Sequence, residues 1–367
     1  MHLLLITLQL ELTLRKRIYF FAEIRPHAAQ DRTKENKREQ KRTKENKREQ
    51  NISMTKPSIL SFETYDNWDS MPMSELFDVH TLPTSGNPND LPQDIRERIR
   101  AFAFKGHSTL DASIIDPFPN LGLIANYGVG YDSIDVKYAS SKGIRVTNTP
   151  DVLTNDVADL AVGMLISLSR DIVGASNWVR SGQWKSSGAY PIQRTLSGAT
   201  VGIVGMGRIG RAIADRLQNF DMQLHYFSRT KKDTPDWHYH NDVLSLASTV
   251  DIMMVAVSGG PDTVNIISRD VLQALGPDGL IVNSARGTTL DEEALLEFLQ
   301  SGKLRGAALD VFENEPDINP RFLTLDNVLL QPHHSSGTIE TRKAMGVLQR
   351  ENIKAFFEDA PLLTPVV

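Results

Sequence analysis

Residues 199–210 read ATVGIVGMGRIG, and the rest of the chain is best understood outward from them. Thr200 to Val204 is a short apolar, β-branched run, the composition of a strand buried on both faces. Gly205, Gly207 and Gly210 follow at G-x-G-x-x-G spacing, and the next ten residues, RAIADRLQNF, set Ile213, Ala214, Leu217 and Phe220 at helical intervals. A glycine-rich turn alone has an ordinary structural reading. A strand before it and a helix after it make it a dinucleotide site. Gly205 permits the tight turn, Gly207 lets backbone approach a pyrophosphate, and Gly210 lets helix and strand pack closely. The phosphates would rest on free N–H groups at the positive end of the helix.

Downstream, strand-like runs recur at 223–227, 251–257, 280–283, 307–311 and 328–330, with helical segments between most of them. The pattern predicts a doubly wound nucleotide-binding domain of about six strands. Upstream, residues 150–154 read as a hinge, with Thr154 capping a helix over 157–168 and Asp156 and Asp159 in its first turn. That helix is apolar nearly all round, which places it between layers. The N-terminal half alternates in the same way. PSILSF (57–62), ELFDVHTL (75–82), LGLIAN (121–126) and IRVTNT (144–149) read as strands, and DIRERIRAFA (94–103) as a helix leading to another. A last helix over 339–357 crosses back toward this first part. The expected fold is therefore α/β, with two Rossmann-like or flavodoxin-like domains of doubly wound parallel sheet. Residues 54–150 with 337–367 form one domain, and residues 151–336 form the dinucleotide-binding one.

Residues 1–53 stand apart. RTKENKREQ occurs at 32–40 and again at 42–50, and such a segment has no apolar face to bury. It is expected to be a disordered extension, with the working polypeptide starting near Met54. The leading MHLLLITLQLELTL lacks a basic opening region and contains Gln9 and Glu11, so it is a poor signal core. The formal charge of −5 over 367 residues gives no reason to expect a nucleic-acid partner, and no apolar run is long enough to span a bilayer. With no cysteine there are no disulfides, thiolate metal sites or thiol nucleophiles, which suits the cytoplasm.

Four places carry residues suited to chemistry. After the second strand, Ser228 stands where a carboxylate would accept the ribose 2′-hydroxyl of NAD, and Arg229, Thr230, Lys231 and Lys232 follow. A carboxylate repels a 2′-phosphate, whereas arginine grips one, so NADP(H) is the expected cofactor and NAD(H) the alternative. Arg286 in NSARG, Glu315 in ENEP and His333 in QPHHSSGT each follow a different strand of one sheet. Singly they read as a surface arginine, a capping glutamate and a hydrogen-bonded histidine. Placed after successive strand ends they can share a crevice, where open α/β sheets bind ligands.

From about Met54 onward the chain resembles the D-isomer-specific 2-hydroxyacid dehydrogenases, nearest to their glyoxylate/hydroxypyruvate and 2-ketogluconate reductase branch. The resemblance rests on NYGVGYDSID (126–135), NDVADLAVGMLI (155–166), VGIVGMGRIG (201–210), NSARGTTLDEEALL (283–296), GAALDVFENEP (306–316) and QPHHSSGT (331–338), in that order. It implies an NADPH-preferring reductase of small 2-oxo acids, with Arg286, Glu315 and His333 as the catalytic set and His334 a neighbour. It implies cofactor contacts from Gly205, Gly207, Arg208, Ile209, Gly210, Ser228, Arg229, Thr230 and Asp310, the last toward the nicotinamide carboxamide. A buried loop carboxylate is the plainer reading of Asp310. It implies that Val129 and Gly130 bind the substrate carboxylate through their N–H groups, beside Arg286, and that no metal is needed. Tyr127 and Tyr131 are candidates for narrowing the pocket. Trp178 and Trp184 fall in the stretch that the family uses at a homodimer interface. The competing readings are a reductase of another 2-oxo acid, and a dinucleotide-binding corepressor that keeps the fold without turnover.

Overall fold

The computed structural model describes residues 56–106 and 108–367, so the readings made of residues 1–53 and of a start at Met54 lie outside the described residues. Strands β1 (Ser58–Ser61), β2 (Asp78–Thr81), β3 (Ala101–Phe104), β4 (Leu123–Asn126) and β5 (Arg145–Thr147) form one parallel sheet in the order β2-β1-β3-β4-β5. A second parallel sheet holds β6 (Thr200–Val204), β7 (Gln223–Phe227), β8 (His238–His240), β9 (Ile252–Val255), β10 (Leu280–Asn283), β11 (Gly306–Leu309) and β12 (Val328–Leu330). Its order is β12-β11-β10-β9-β6-β7-β8. The direction of winding reverses between β6 and β9, the position at which doubly wound sheets open a ligand crevice beyond their carboxyl ends.

The inner strands read as unbroken apolar runs because both faces are covered. Ile203, Ile252, Met254 and Val282 pack on one face of the second sheet, against Ala158 and Leu165 of helix α2 (Thr154–Arg170) and Ile213 of helix α3 (Arg208–Leu217). Their neighbours Val204, Met253, Val255 and Ile281 pack on the other, against Leu272, Leu295 and Leu299. The first sheet divides in the same way. Leu60, Phe102 and Ile124 face one cluster, while Ile59, Ala101 and Leu123 meet Met73 of helix α1 (Asn67–Leu76) and Ile353 and Phe356 of helix α4 (Ile339–Phe357). The polar side of α4 is used as well. Gln349 donates from Nε2 to the carbonyls of Phe104 (3.2 Å) and Ala125 (2.8 Å).

Several sequence expectations shift. The second sheet has seven strands where about six were expected, because His-Tyr-His at β8 lacks the apolar signature of an inner strand and pairs only with β7. Helix α2 begins at Thr154 itself, with Leu153 at the cap position and no side-chain cap. Asp156 instead accepts hydrogen bonds from Thr338 and from Thr341 Oγ1 (2.5 Å), tying the start of α2 to the start of α4. The expected strand at 75–82 is shorter, because α1 runs to Leu76 despite Pro72 inside it. The expected helix at 94–103 ends at Arg98, and Ala101 already belongs to β3.

A histidine cluster bridges β7 and the edge strand β8. His225 Nδ1 lies 3.0 Å from His240 Nε2, and the His225 and His238 rings are 4.7 Å apart. Burial, then the neighbouring imidazoles His238 and His240, hold His225 below the usual histidine range. Burial lowers His240 as well, against a partial rise from Asp242. The unfolded chain therefore takes up protons first, as the pH falls below about 6.5, and stability present above that value is lost on acidification. Thermal melts at pH 7.5 and 5.5 should show a smaller acid-induced drop in His225→Gln than in the parent protein.

Candidate functional site

The glycine turn fits a dinucleotide phosphate. Gly205 has φ +102°, and a Cβ there would sit 2.8 Å from the Ala256 carbonyl oxygen. A Cβ on Gly210 would fall 1.8 Å from the Gly205 carbonyl oxygen, so α3 can lie this close to β6 only with glycine at that position. At Gly207, the N-cap of α3, a Cβ would meet nothing within 4 Å. That leaves an open approach to the N–H groups of the first turn. Ile209 is half-buried and packs with the core behind the turn. Arg208 is exposed, and its Nε donates to Asp151 Oδ1 at 2.7 Å.

After β7, the backbone of the turn is folded around Tyr226. The Tyr226 hydroxyl donates to the Lys232 carbonyl (3.1 Å) and accepts from the Lys232 N–H (3.0 Å). Ser228 is buried and its Oγ donates to the Thr230 carbonyl (2.8 Å). Arg229 and Thr230 are exposed, and Arg229 makes no ion pair with any described residue.

Three loops after neighbouring strands bring the candidate side chains to one end of the second sheet. Beyond β10, Asn283 and Thr289 fix the backbone of Arg286. Asn283 Nδ2 and Thr289 Oγ1 both donate to the Arg286 carbonyl, at 3.0 and 2.6 Å. Beyond β11, Glu315 Oε1 accepts from the Phe312 N–H (2.8 Å), and Glu292 Oε2 accepts from the Glu313 N–H (3.1 Å). Burial raises the Glu292 carboxyl above its usual range, with that N–H acting against the rise. Beyond β12, His333 Nδ1 lies 2.6 Å from Glu315 Oε2. The imidazole paired with Glu315 is thus that of His333, while the exposed His334 ring lies over Gly337.

His333 has φ +51°, an uncommon backbone for a residue with a side chain, and Asp310 holds it there. The His333 N–H donates to the Asp310 carbonyl (2.8 Å). The N–H groups of His334 and Ser335 donate to its two carboxylate oxygens (2.7 and 3.0 Å), and the Ser335 hydroxyl donates to one of them. Asp310 is 1% exposed.

From the first sheet, the turn after β4 reaches the same place. Gly128 and Gly130 carbonyls accept from Asn126 Nδ2 (3.1 and 2.8 Å), and the Val129 carbonyl accepts from Asn148 Nδ2 (2.9 Å). The carbonyls are tied back, while the N–H groups of Val129 and Gly130 donate to no described residue. Arg286 lies against this turn, because a Cβ on Gly130 would fall 1.6 Å from Arg286 Nη2. Its Nε donates to Asp132 Oδ1 and Oδ2 at 3.1 and 3.2 Å. Asp132 was not singled out from the sequence. Its only signal is an acidic residue two places after a glycine turn, and its partner lies 154 positions away. Tyr127 does not narrow a pocket: it is 8% exposed, with its hydroxyl donating to the Arg342 carbonyl (2.7 Å) and its ring edge-on to Tyr65. Tyr131 remains 40% exposed.

No helix among the described residues is long and apolar enough to cross a membrane, and no group of them is arranged to hold a metal ion.

Comparison with known proteins agrees with this architecture. Residues 162–335 match the D-isomer specific 2-hydroxyacid dehydrogenase, NAD binding domain. Hydroxyphenylpyruvate reductase of Plectranthus scutellarioides is 46% identical over 271 residues, 74% of this chain and 86% of that protein. The 2-ketogluconate reductase of Gluconobacter oxydans is 42% identical over 313 residues, 85% of this chain and 99% of that protein. Among solved structures, the NADPH-dependent glyoxylate/hydroxypyruvate reductase of Sinorhizobium meliloti, in complex with NADP and malonate, superposes with TM-score 0.81 at 40% identity. That match covers 85% of this chain and 97% of that one. The identity runs through both sheets and nearly the full length of these relatives, and on that ground the chain belongs to the D-isomer specific 2-hydroxyacid dehydrogenase family, as an oxidoreductase that uses a nicotinamide dinucleotide.

Proposed function

We propose that this protein reduces small 2-oxo acids, glyoxylate and hydroxypyruvate foremost, to D-2-hydroxy acids, and that it prefers NADPH. The observation that carries the reading is the 2.6 Å pair of His333 and Glu315 on loops after neighbouring strands, beside the loop of Arg286. In this reading residues 54–150 with 337–367 bind substrate and residues 151–336 bind the dinucleotide. When bound, the nicotinamide supplies a hydride to the substrate's 2-carbon. The N–H groups of Val129 and Gly130 hold the substrate carboxylate, and Arg286 orients and polarises the carbonyl. His333, as imidazolium, gives its Nε2 proton to the developing alkoxide while Nδ1 stays on Glu315. The carboxylate fixes the orientation and tautomer of the ring through Nδ1. Asp310, whose Oδ1 keeps one further acceptor site, is assigned to the carboxamide as well as to the histidine loop.

The cofactor preference rests on Ser228 and on the exposed Arg229, which pairs with no acid among the described residues. A charge-assisted hydrogen bond to phosphate contributes about 1.5–3 kcal/mol, roughly ten- to hundredfold in affinity. Ser228→Asp should therefore move the ratio of kcat/KM for NADPH over NADH by at least about tenfold toward NADH. An unchanged ratio would refute the 2′-phosphate assignment. For the activity itself, purified full-length protein is assayed with both cofactors against glyoxylate, hydroxypyruvate, 2-ketogluconate and hydroxyphenylpyruvate. Tight dinucleotide binding without turnover of any of them would reject the enzyme reading in favour of a binding protein.

A homodimer is part of the proposal. Trp178 packs within its own chain, donating to the Gly188 carbonyl and meeting Tyr190 edge-on. Trp184 (64% exposed) and Ile192 (99%) instead present apolar surface nearby, suited to a second subunit. Sedimentation velocity at micromolar concentration checks it. The cytoplasm is the compartment this reading assigns.

A further inference from the structure

The Arg286 side chain is held by a residue of the other sheet. Its Nε donates to both oxygens of Asp132, at 3.1 and 3.2 Å, and its Nη1 donates to the Ala285 carbonyl at 2.7 Å. The pair lies in a slot that two glycines keep open. A Cβ on Gly130 would come 1.6 Å from Arg286 Nη2 and 3.0 Å from Asp132 Oδ1. A Cβ on Gly259, beyond β9, would come 2.9 Å from both Arg286 Cγ and Asp132 Cγ. Gly130 and Asp132 follow β4 of the first sheet, whereas Gly259 and Arg286 follow β9 and β10 of the second. The two charged side chains are 25% and 30% exposed, partly withdrawn from water, where a charge-assisted pair keeps its geometry.

A guanidinium on a flexible stem would otherwise sample many rotamers, and an anchor needs one. With Nε on Asp132 and Nη1 on the Ala285 carbonyl, Nη2 is left beside the Gly130 turn, next to the N–H groups that donate to no described residue. We propose that Asp132 is the positioning residue of the site. It orients Arg286 across the gap between the sheets so that the Nη2 corner of the guanidinium and the Val129–Gly130 turn face the same anionic substrate group. The proposal rests on the reading of Arg286 as substrate anchor.

The test is Asp132→Asn, which keeps the shape of the side chain and removes its charge. With glyoxylate as the varied substrate, KM should rise at least about tenfold and kcat should fall less, with the KM for NADPH within about twofold of the parent. In an Arg286→Gln background the same substitution should add no further loss, because the residue it positions is already gone. A glyoxylate KM within twofold of the parent, a lowered KM, or an equal loss in both backgrounds would overturn the proposal. Gly259→Ala is the second probe. Its methyl group wedges the pair apart while leaving both charges in place, and the same rise in KM is expected. A parent protein that turns over no 2-oxo acid would instead reject the underlying functional reading, which keeps the two failures distinct.

Discussion

His333→Ala is expected to lower kcat with glyoxylate by about 10²–10⁴-fold, the range that a positioned acid–base group contributes, while NADPH affinity stays within about twofold. The side chain is 28% exposed, and its contact with Glu315 is with a group that Phe312 also holds, so the fold loses little when the ring is removed. The loop itself is fixed through backbone groups, by Asp310 accepting from the N–H groups of residues 333–335, and these survive the substitution. Stopped-flow reduction and cofactor-fluorescence titration separate the two effects. A kcat within tenfold of the parent would mean that another group delivers the proton. Glu315→Gln tests the same relay more gently, since the amide still reaches Nδ1 but carries no charge.

The largest effect on stability is expected far from that chemistry. Arg350 on α4 pairs through Nη1 with Asp69 on α1, and both side chains are nearly buried, at 10% and 2% exposure. Asp69 lies against Gly346, and the Tyr127 hydroxyl is 3.4 Å from its other oxygen. Arg350→Met would leave a carboxylate buried without its cation, which costs about 3–5 kcal/mol. For a protein of this size that corresponds to a melting point lower by roughly 5–8 °C. Removing both charges, in Asp69→Asn with Arg350→Met, should recover a large part of the loss, because the penalty belongs to the uncompensated ion rather than to the missing attraction. Urea and thermal melts of the single and double variants decide it, and a double variant as unstable as the single one would reject this account.

The parts of the molecule that were legible in the sequence share one property: their signal is local. The β6 run, the glycine turn and α3 announce themselves within twenty residues, and β10 has the expected ends because buried parallel strands are apolar throughout. Arg286, Glu315 and His333 were findable as residues that follow such strands. The rest depends on contacts between distant positions. Nothing near Asp132 names Arg286 as its partner, and nothing near Asp310 says that its carboxylate will hold residues 334 and 335. Tyr127 looked like a pocket residue because it precedes Gly128, yet α4 claims its hydroxyl from 215 positions away. Helix α1 has Pro72 in its interior, which disfavours a helix locally, and packing against α4 overrides that preference.

The return of the chain to its starting sheet sets an order of events during synthesis. Strands β1 to β5 have all been made by residue 147, but the layer that shields Ile59, Ala101 and Leu123 includes Ile353 and Phe356, and Thr147 bridges to Pro365 near the very end. On the ribosome that flank of the first sheet has only Met73 and Phe77 against it until residues 339–357 emerge, while β6 to β12 can already assemble behind it. A nascent chain stalled before residue 339 would be a client for a holding chaperone, and a chain cut there should be degraded rather than merely inactive.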